Sequence, residues 1–319
     1  MEKPVTKKNY SASTAPEALD LTVPCDCAGL RLDQVLARLL PEHSRSRLTQ
    51  WVREARVSVD GAAAAPRAKM RGGERLRVRP APSRDALAHL PQAIPLDVIY
   101  EDAALIVIDK PSGLVVHPGS GNWEGTLLNA LLQHAPELAE VPRAGIVHRL
   151  DKDTSGLLAV ARTLTAQTDL VRQLQARTVR REYTAVVHGR VARDGRVEAP
   201  IGRHPVNRTR MAVVSRGKPA VTHYSVAARY ADATLLHCRL ETGRTHQIRV
   251  HLASIGHPLV GDPVYGPRAG KNTARIFARQ ALHARKLGLK HPVTAREMSW
   301  ESPLPSDMRA LIATFESAA

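Results

Sequence analysis

The residues of this chain best suited to chemistry lie in one polar segment, GIVHRLDKDTSG, between two apolar stretches. We expect a loop here, and loops displayed by a rigid sheet are where catalytic groups concentrate. Asp151 can act as a nucleophile or a base, and His148, Arg149 and Lys152 are close enough in sequence to orient it or to favour its charged form. Considered alone, a loop aspartate is more often a turn former or a surface partner, so both interpretations stay open.

A second segment, ETGRTHQIRVH, supplies a candidate partner for this aspartate. We predict a strand at Ile248–His251, in which alternation places Gln247, Arg249 and His251 on one face. Arg249 would then project toward a carboxylate, because a buried arginine needs an anionic partner, and Asp151 is the candidate. An ion pair elsewhere, or an arginine in solvent, is the alternative.

A sheet is expected to position these segments. Runs rich in strand-forming residues occur at residues 97–100 and 105–108, and further strand candidates lie at 157–160, 183–187 and 235–240. A helical pattern at 165–177 separates two of them. Considered by itself, Tyr183 in the segment REYTAVV would be an amphipathic core tyrosine. Strands outnumber helices and several are short, which favours an α+β fold with a mixed, mainly antiparallel sheet.

The N-terminal part has a different pattern. Apolar residues from Leu32 to Leu40 recur at helical spacing, and a second helix, capped by Ser44 or Ser46, is predicted to follow. A short strand, Val57–Val59, then runs into an Asp60-Gly61 turn, and the alternation of residues 75–78 predicts a closing strand. Seven arginines and lysines within about fifty residues make this a compact basic α/β module: Arg45, Arg47, Arg53, Arg56, Arg67, Lys69 and Arg71.

Composition divides the chain into four predicted parts. Residues 1–23 carry few large apolar groups, so we expect a disordered tail. The basic module occupies 24–79. A proline-rich linker covers 80–95, and prolines make such a linker semi-rigid. The larger, sheet-containing domain occupies 96–319.

Net charge indicates the partner. The 46 Lys and Arg exceed the 30 Asp and Glu to give +16, a field that attracts nucleic acid. No apolar run is long enough to cross a membrane, so we predict a cytoplasmic protein without membrane contact. Three cysteines and fourteen histidines show no metal-ligand spacing, and no Gly-rich nucleotide loop occurs. We therefore expect neither metal nor cofactor.

These segments, in this order, resemble the motifs of the RluA group of pseudouridine synthases over nearly the whole chain after the tail. The stretch SRSRLTQWVREARVSVDG likewise resembles the S4 RNA-binding domain. The larger-domain motifs that carry the likeness are PLDVIYED, IDKPSGLVVHPG, VPRAGIVHRLDKDTSGL, REYTAVVHG and ETGRTHQIRVHLASIGHPLVGDPVYG.

The resemblance implies a pseudouridine synthase fold joined to a small S4 domain, and it implies roles for single residues. Asp151 matches the essential aspartate, Tyr183 the tyrosine that stacks on the target base, and Arg249 the arginine that pairs with the aspartate. Arg149 matches the residue that fills the gap left by a flipped nucleotide.

The resemblance also implies an RNA substrate: uridines of large-subunit (23S) ribosomal RNA, with the stem-loop at the subunit interface first among the candidates. We expect a monomer that uses no cofactor, because an isomerisation needs none. The residues expected to contact RNA are Arg149, His148, Arg45, Arg47, Arg53 and Arg244.

Two functions from other classes remain as alternatives. A non-catalytic RNA-binding protein would use the basic surface alone, and Asp151→Asn would leave its function intact. A nucleoside or glycoside hydrolase would use Asp151 and Asp153 as a carboxylate pair and would release free uracil.

Overall fold

A computed structural model describes residues 18–81, 87–119, 121–267 and 277–317 of the chain. These residues belong to two compact units, divided between Leu90 and Pro91. The division falls within the predicted linker, of which residues 82–86 lie outside the described part. Most of the predicted tail, residues 1–17, also lies outside it.

Within residues 18–81, the first unit packs two helices against a four-stranded antiparallel sheet of order β1-β4-β2-β3, as predicted for the basic module apart from its first strand. A single 3-10 turn, Cys25–Cys27, precedes the helices. The elements are β1 (Leu19–Thr22), α1 (Leu32–Leu39), α2 (Arg45–Arg53), β2 (Val57–Val59), β3 (Ala62–Ala63) and β4 (Arg75–Val78).

The prediction that the tail extends to residue 23 was wrong for its last residues. Strand β1 pairs with β4, with Leu19 opposite Val78, and Val23 after it is buried. The cause is alternation in a very short run, since Leu19 and Leu21 pack against the core of this unit while Asp20 is exposed. Four residues are too few to distinguish such a strand by composition.

Helix α2 begins where the sequence predicts it. The Ser44 hydroxyl accepts a hydrogen bond from the Arg47 amide at 3.4 Å, which satisfies one free amide of the first turn. Leu48 and Val52, one turn apart, are both buried against α1 and the sheet. The apolar side of each helix therefore forms the core of the unit.

The second unit contains a nine-stranded sheet, a separate hairpin and four helices, counted over the described residues. The main sheet has the order β5-β6-β7-β14-β8-β13-β12-β9, with β15 paired to β14. Strands β10 and β11 form the hairpin. Two 3-10 segments, Pro136–Glu140 and Pro142–Gly145, precede the polar segment. The strands are β5 (Val98–Glu101), β6 (Leu105–Lys110), β7 (Ser155–Ala161), β8 (Arg180–His188), β9 (Gly195–Glu198), β10 (Ile201–Arg203), β11 (Met211–Val213), β12 (Val221–Arg229), β13 (Ala233–Leu240), β14 (Leu282–Lys290) and β15 (Glu297–Glu301). The helices are α3 (Leu127–His134), α4 (Leu164–Gln175), α5 (Gln247–Ser254) and α6 (Ser306–Ser317).

The sheet is mixed and mainly antiparallel, as predicted. Among the ladders formed by described strands, only β7 with β14 is parallel. Both faces of the central strands are covered. In β7, for example, Leu158 and Val160 join one apolar cluster, while Leu157 and Ala159 join the cluster that includes Leu170 of α4. A strand that is buried on both faces is a rigid support for the loops at its two ends.

The predicted strand at Ile248–His251 was wrong, because this stretch lies in helix α5. Six successive residues of the helix, from Gln247 to Leu252, are buried, so the apolar residues show no helical period that sequence reading could detect. Arg249 therefore reaches its surroundings from a helix, and the face that it was expected to share with Gln247 and His251 does not exist.

Gly156 offers a direct test of this packing. Its φ is +113°, and a Cβ at this position would lie 2.3 Å from the carbonyl oxygen of Ala284 on the neighbouring parallel strand. We expect Gly156→Ala to lower the free energy of unfolding by about 3 kcal/mol or more, since backbone strain adds to overpacking. Chemical denaturation measures the change. Gly119→Ala is the control, because a Cβ there meets nothing within 4 Å; equal effects of the two substitutions would contradict the packing.

Candidate active site

Asp151 lies at the edge of a cavity of about 580 Å³ in the second unit. Its side chain is 15% exposed, and its Oδ2 accepts a hydrogen bond from Nη1 of Arg249 at 3.0 Å. The predicted pairing of these two residues is therefore present. A second cavity, of about 280 Å³, also borders Asp151.

Arg249 is held by a second carboxylate. Asp262, whose side chain is fully buried, accepts from Nε at 2.7 Å and from Nη2 at 2.9 Å. Burial alone would lower the pKa of Arg249, but the hydrogen bonds and charges of Asp262 and Asp151 outweigh it and raise that pKa. Arg249 is thus a permanent cation. Because Asp262 takes two of its donor positions, Nη1 is left to bind one oxygen of Asp151.

Asp262 is itself fixed as an anion. Its Oδ1 accepts hydrogen bonds from the amides of Val264 at 2.8 Å and Tyr265 at 3.0 Å. Burial raises the pKa of this carboxyl, but Arg249 and the two amides lower it further, so the net shift is downward. The two-pronged contact therefore defines the orientation of the Arg249 guanidinium.

His246 and Tyr265 close the other side of Asp151. The Tyr265 hydroxyl accepts from the Met211 amide at 2.9 Å and lies 2.8 Å from Nδ1 of His246. This hydroxyl and Nδ1 form a hydrogen bond that orients the His246 ring. The other ring nitrogen, Nε2, lies 3.9 Å from Oδ1 of Asp151. The second carboxylate oxygen thus faces a weaker, polar neighbour and remains available for chemistry.

Lys110 fixes the backbone of the loop that carries Asp151. This fully buried side chain donates from Nζ to the carbonyl oxygens of Pro111 at 2.7 Å, Leu114 at 2.9 Å and Lys152 at 2.9 Å. Burial lowers the pKa of Lys110 to about 8, against the opposing charges of Asp153 and Asp151. Because Lys152 follows Asp151 directly, the ammonium group fixes the backbone that carries the carboxylate.

Tyr183 lines the larger cavity from strand β8 and is buried. Burial raises the pKa of Tyr183, and the charge of Asp151 adds to that rise, while Arg181 opposes it. The hydroxyl therefore stays protonated at neutral pH, and the ring presents an apolar wall with a polar tip. The cavity thus places an aromatic ring and a carboxylate in the walls of one chamber.

The predicted RNA contacts of the polar segment differ in their outcome. Arg149 is exposed, borders both cavities and makes no ion pair with any described residue. His148 instead has its Nε2 bound by the amide of Ala159 at 3.0 Å. Burial, with a contribution from Arg181, lowers the pKa of His148 to about 3. An imidazole that is neutral and already accepts a hydrogen bond has no charge to offer to a phosphate. The structure therefore does not support His148 as an ionic RNA contact.

Arg244 also lines the larger cavity. Its side chain is exposed and donates from Nε to the carbonyl oxygen of Pro219 at 3.2 Å. Its backbone amide donates to Gln247, whose side chain also binds Thr242 and the backbone of Val221. Gln247 therefore fixes the turn that leads into α5.

The predicted arginine contacts of the first unit are largely engaged within it. Arg45 donates to the buried Asp33 at 2.8 Å, and the Arg47 guanidinium lies over Trp51 and donates to the Ala81 carbonyl oxygen at 3.0 Å. Arg53 is exposed and has no ion pair among the described residues. Arg45 and Arg47 thus have structural partners, and Arg53 is the member of this group most open to RNA.

Sequence reasoning missed several members of the site. Asp262 lies thirteen residues after Arg249 in the quoted stretch GDPVYG, and a buried arginine with two possible aspartates would have been the signal. Lys110 lies within IDKPSG, but a lysine between apolar strands gave no sign of its three carbonyl partners. His246 and Arg181 gave no signal of their own.

Among the residues that the structure describes, no group of three or more His, Cys, Asp or Glu side chains could hold a metal ion. In the same residues, no helix is long and apolar enough to cross a bilayer. The groups that line the larger cavity include one carboxylate paired with a permanent cation and a protonated tyrosine. Such a set can attack or deprotonate a ligand enclosed in the cavity.

The chain belongs to the RNA pseudouridylate synthase family. Residues 104–254 match the family model described as RNA pseudouridylate synthase, and residues 30–76 match the S4 domain. Ribosomal large subunit pseudouridine synthase D of Nitrosomonas europaea is 59% identical over 96% of this chain and 92% of its own length. The protein of the same name from Escherichia coli K12 is 53% identical over 92% of this chain and 93% of its own. These matches confirm the resemblance to the RluA group and, within it, to the RluD type.

Two solved structures have the same fold. Human RNA Pseudouridylate Synthase Domain Containing 4 is 25% identical, with a TM-score of 0.55 over 69% of this chain and 93% of that one. Human RNA Pseudouridylate Synthase Domain Containing 1 is 28% identical, with a TM-score of 0.54 over 67% and 85%. The mixed sheet around the cavity is therefore the fold of this family.

The neutral state of His148 predicts a dependence of stability on pH. Its pKa is about 3 in the folded protein and 6.5 ordinarily, so between these values the unfolded chain binds the extra proton. Stability is therefore lost as pH falls below 6.5. Between pH 6.5 and pH 5 this one group accounts for about 2 kcal/mol.

The measurement is denaturant unfolding of the protein and of His148→Gln at pH 7 and pH 5. Glutamine keeps an acceptor for the Ala159 amide but does not titrate, so the variant should lose less stability on acidification. The same loss in both proteins would contradict a buried, neutral His148. Other histidines titrate equally in both and cancel in the comparison.

Proposed function

We propose that this enzyme converts uridines of large-subunit ribosomal RNA to pseudouridine, with Asp151 as its nucleophile. The observation that carries the proposal is the ion pair of Asp151 with Arg249 in the wall of a cavity that Tyr183 also lines. The large-subunit substrate is supported by the names of relatives more than 50% identical over nearly the whole chain.

Asp151 has the environment that this reaction requires. Pseudouridine formation breaks the N1–C1′ bond of uridine and joins C5 of the uracil to C1′. The reaction needs a carboxylate within reach of the enclosed nucleotide, and the Arg249 cation at 3.0 Å is the ion-pair partner that orients this carboxylate. One oxygen of Asp151 is free of a short contact, so it can attack the nucleotide.

Tyr183 and Arg149 are assigned to base extrusion. A uridine in a helix must leave the stack before Asp151 can reach it, at a cost of a few kcal/mol. The buried Tyr183 ring offers a stacking surface to the extruded base, and its protonated hydroxyl can assist the proton transfer at C5. The exposed, unpaired Arg149 beside the cavity is the residue that would fill the vacancy in the RNA.

The first unit is proposed to hold RNA by sequence-neutral contacts. Its likeness to the S4 domain covers residues 30–76, and Arg53 is exposed on α2. We further propose that the enzyme is a monomer, acts in the cytoplasm and has the stem-loop at the subunit interface as its first target. The residues from 80 to 95 are proposed as the linker between the two domains.

Asp151→Asn tests the chemistry. The substitution removes the charge with little change in shape, so tritium release from 5-tritiated uridine in ribosomal RNA should fall at least about 1000-fold, while RNA affinity stays near that of the unchanged protein. Asp153→Asn is the matched control from the same loop and should retain activity.

Each outcome separates one function from the others. Loss of activity in both variants with free uracil as product would favour the hydrolase that uses a carboxylate pair. Undiminished function of Asp151→Asn would identify a protein that only binds RNA. If the unchanged protein and Asp153→Asn release tritium and Asp151→Asn does not, the result supports the synthase.

Pseudouridine mapping tests the substrate. Large-subunit ribosomal RNA transcribed without modification is treated with the protein and with Asp151→Asn, and modified positions are read across the whole RNA. We expect new pseudouridines in the subunit-interface stem-loop with the active protein only. Modification elsewhere, with this stem-loop unchanged, would refute the proposed target and leave the proposed chemistry intact.

A further inference from the structure

Arg181 is a second buried arginine of the site, in addition to Arg249. It lies on β8, is 6% exposed and lines the larger cavity together with Tyr183. Arg181 and Tyr183 are alternate residues of the strand, so their side chains project from the same face. The charge of Arg181 opposes the rise in the pKa of Tyr183 and contributes to the lowered pKa of His148.

The guanidinium lacks the partner that a buried arginine requires. Its Nη2 donates to the Glu241 carbonyl oxygen at a long 3.4 Å, and its Nε is buried without any hydrogen-bond partner. Among the described residues, no carboxylate lies within ion-pair distance of it. Arg249, buried to a similar degree, has two. A buried, unsatisfied donor on a cation indicates a site for an anionic or electron-rich ligand.

Gly243 makes the space for this guanidinium. A Cβ on Gly243 would lie 2.6 Å from Nη1 of Arg181. The backbone of Gly243 does not have the positive φ that favours glycine, so room for the arginine is what the absence of a side chain provides here. The segment GRTHQ, which begins at Gly243, therefore packs closely against the Arg181 guanidinium of β8.

The reaction generates a suitable negative charge. When the N1–C1′ bond breaks, its electron pair stays with the uracil and spreads onto O2 and O4. The pair later forms the C5–C1′ bond, and the bond that Asp151 has made to the nucleotide breaks. The proton on C5 then leaves to a base while N1 takes up a proton, so the change is an isomerisation that needs no oxidant or reductant. Until the C5–C1′ bond forms, the detached ring is an anion with two exposed carbonyl oxygens.

We propose that Arg181 donates a hydrogen bond to a carbonyl oxygen of the flipped uracil and stabilises the ring's negative charge while it is detached. The depth of the site favours the base over a phosphate, because the extruded base is the part of the RNA that enters a buried chamber. Tyr183 on the same face would stack on the ring whose edge Arg181 binds. This assignment rests on the proposed chemistry at Asp151 but concerns a separate step.

Single-turnover kinetics with saturating enzyme test the proposal. We compare the unchanged protein with Arg181→Met, Arg181→Lys and Arg180→Met, using unmodified large-subunit ribosomal RNA. Arg180 is the adjacent, exposed arginine of the same strand, so it controls for loss of one positive charge. Arg181→Met should lower the rate about 100-fold, the effect of removing one donor to a developing anion. Its RNA affinity should change less than about threefold, Arg181→Lys should recover part of the rate, and Arg180→Met should keep it.

A change in the substrate identifies the atom that is bound. Sulfur accepts hydrogen bonds poorly, so RNA with 2-thiouridine or 4-thiouridine at the mapped site removes the acceptor at O2 or O4. One of these should slow the unchanged protein about tenfold and have no further effect on Arg181→Met, as expected for two halves of one interaction. Gly243→Ala, which crowds Nη1 but keeps the arginine, should lower the rate in the same direction.

Three results would overturn the proposal. The first is an Arg181→Met rate within threefold of the unchanged protein. The second is weaker RNA affinity with an unchanged rate at saturation, which would assign Arg181 to a phosphate. The third is thiouridine substitution that slows both proteins equally or neither. If thermal unfolding shows that Arg181→Met does not fold, the unchanged protein still tests the proposal. The proposal then fails if neither thiouridine slows that protein. In every case the unchanged protein still forms pseudouridine, so failure here is distinct from failure of the proposed function.

Discussion

One cation shared between two carboxylates is the interaction on which the site depends. Arg249 gives two donor positions to the fully buried Asp262 and a single donor to the partly exposed Asp151. This asymmetry separates a structural anion from a reactive one. Asp262, which accepts from the backbone amides of Val264 and Tyr265, sets the direction of the guanidinium, and the guanidinium in turn donates to Asp151 at the edge of the chamber.

The parts that hold this pair come from distant places in the chain. Asp151 directly precedes Lys152, whose carbonyl oxygen is held by the Lys110 ammonium group, and Arg249 extends from a helix whose first turn is set by Gln247. Each support uses buried hydrogen bonds to backbone groups, which are strongly directional. The site is therefore rigid before any ligand enters, as catalysis by charge stabilisation requires.

The strands and first-unit helices could be predicted because their patterns are local: a continuous apolar run at Leu105–Ile108 and helical spacing from Leu32 each indicate one structure. Resemblance then indicated Asp151 and Arg249 as a pair. The helix at Gln247–Ser254 could not be predicted, because a helix buried on nearly every side has no polar face. Asp262 and Arg181 were missed for a different reason: their importance lies in what surrounds them, and burial without a partner is a property of three-dimensional structure alone.

The single parallel ladder has a consequence for how the protein is made. Strand β7 directly follows the reactive loop, yet its partner β14 lies 128 residues further along the chain, where Ser155 is bonded to His283. Contacts of such sequence separation form late and slowly. During synthesis, the sheet that supports the loop with Asp151 is therefore complete only after β14, in the last quarter of the chain, has been made. A partly synthesised chain can display its basic first unit, but not a finished reaction chamber.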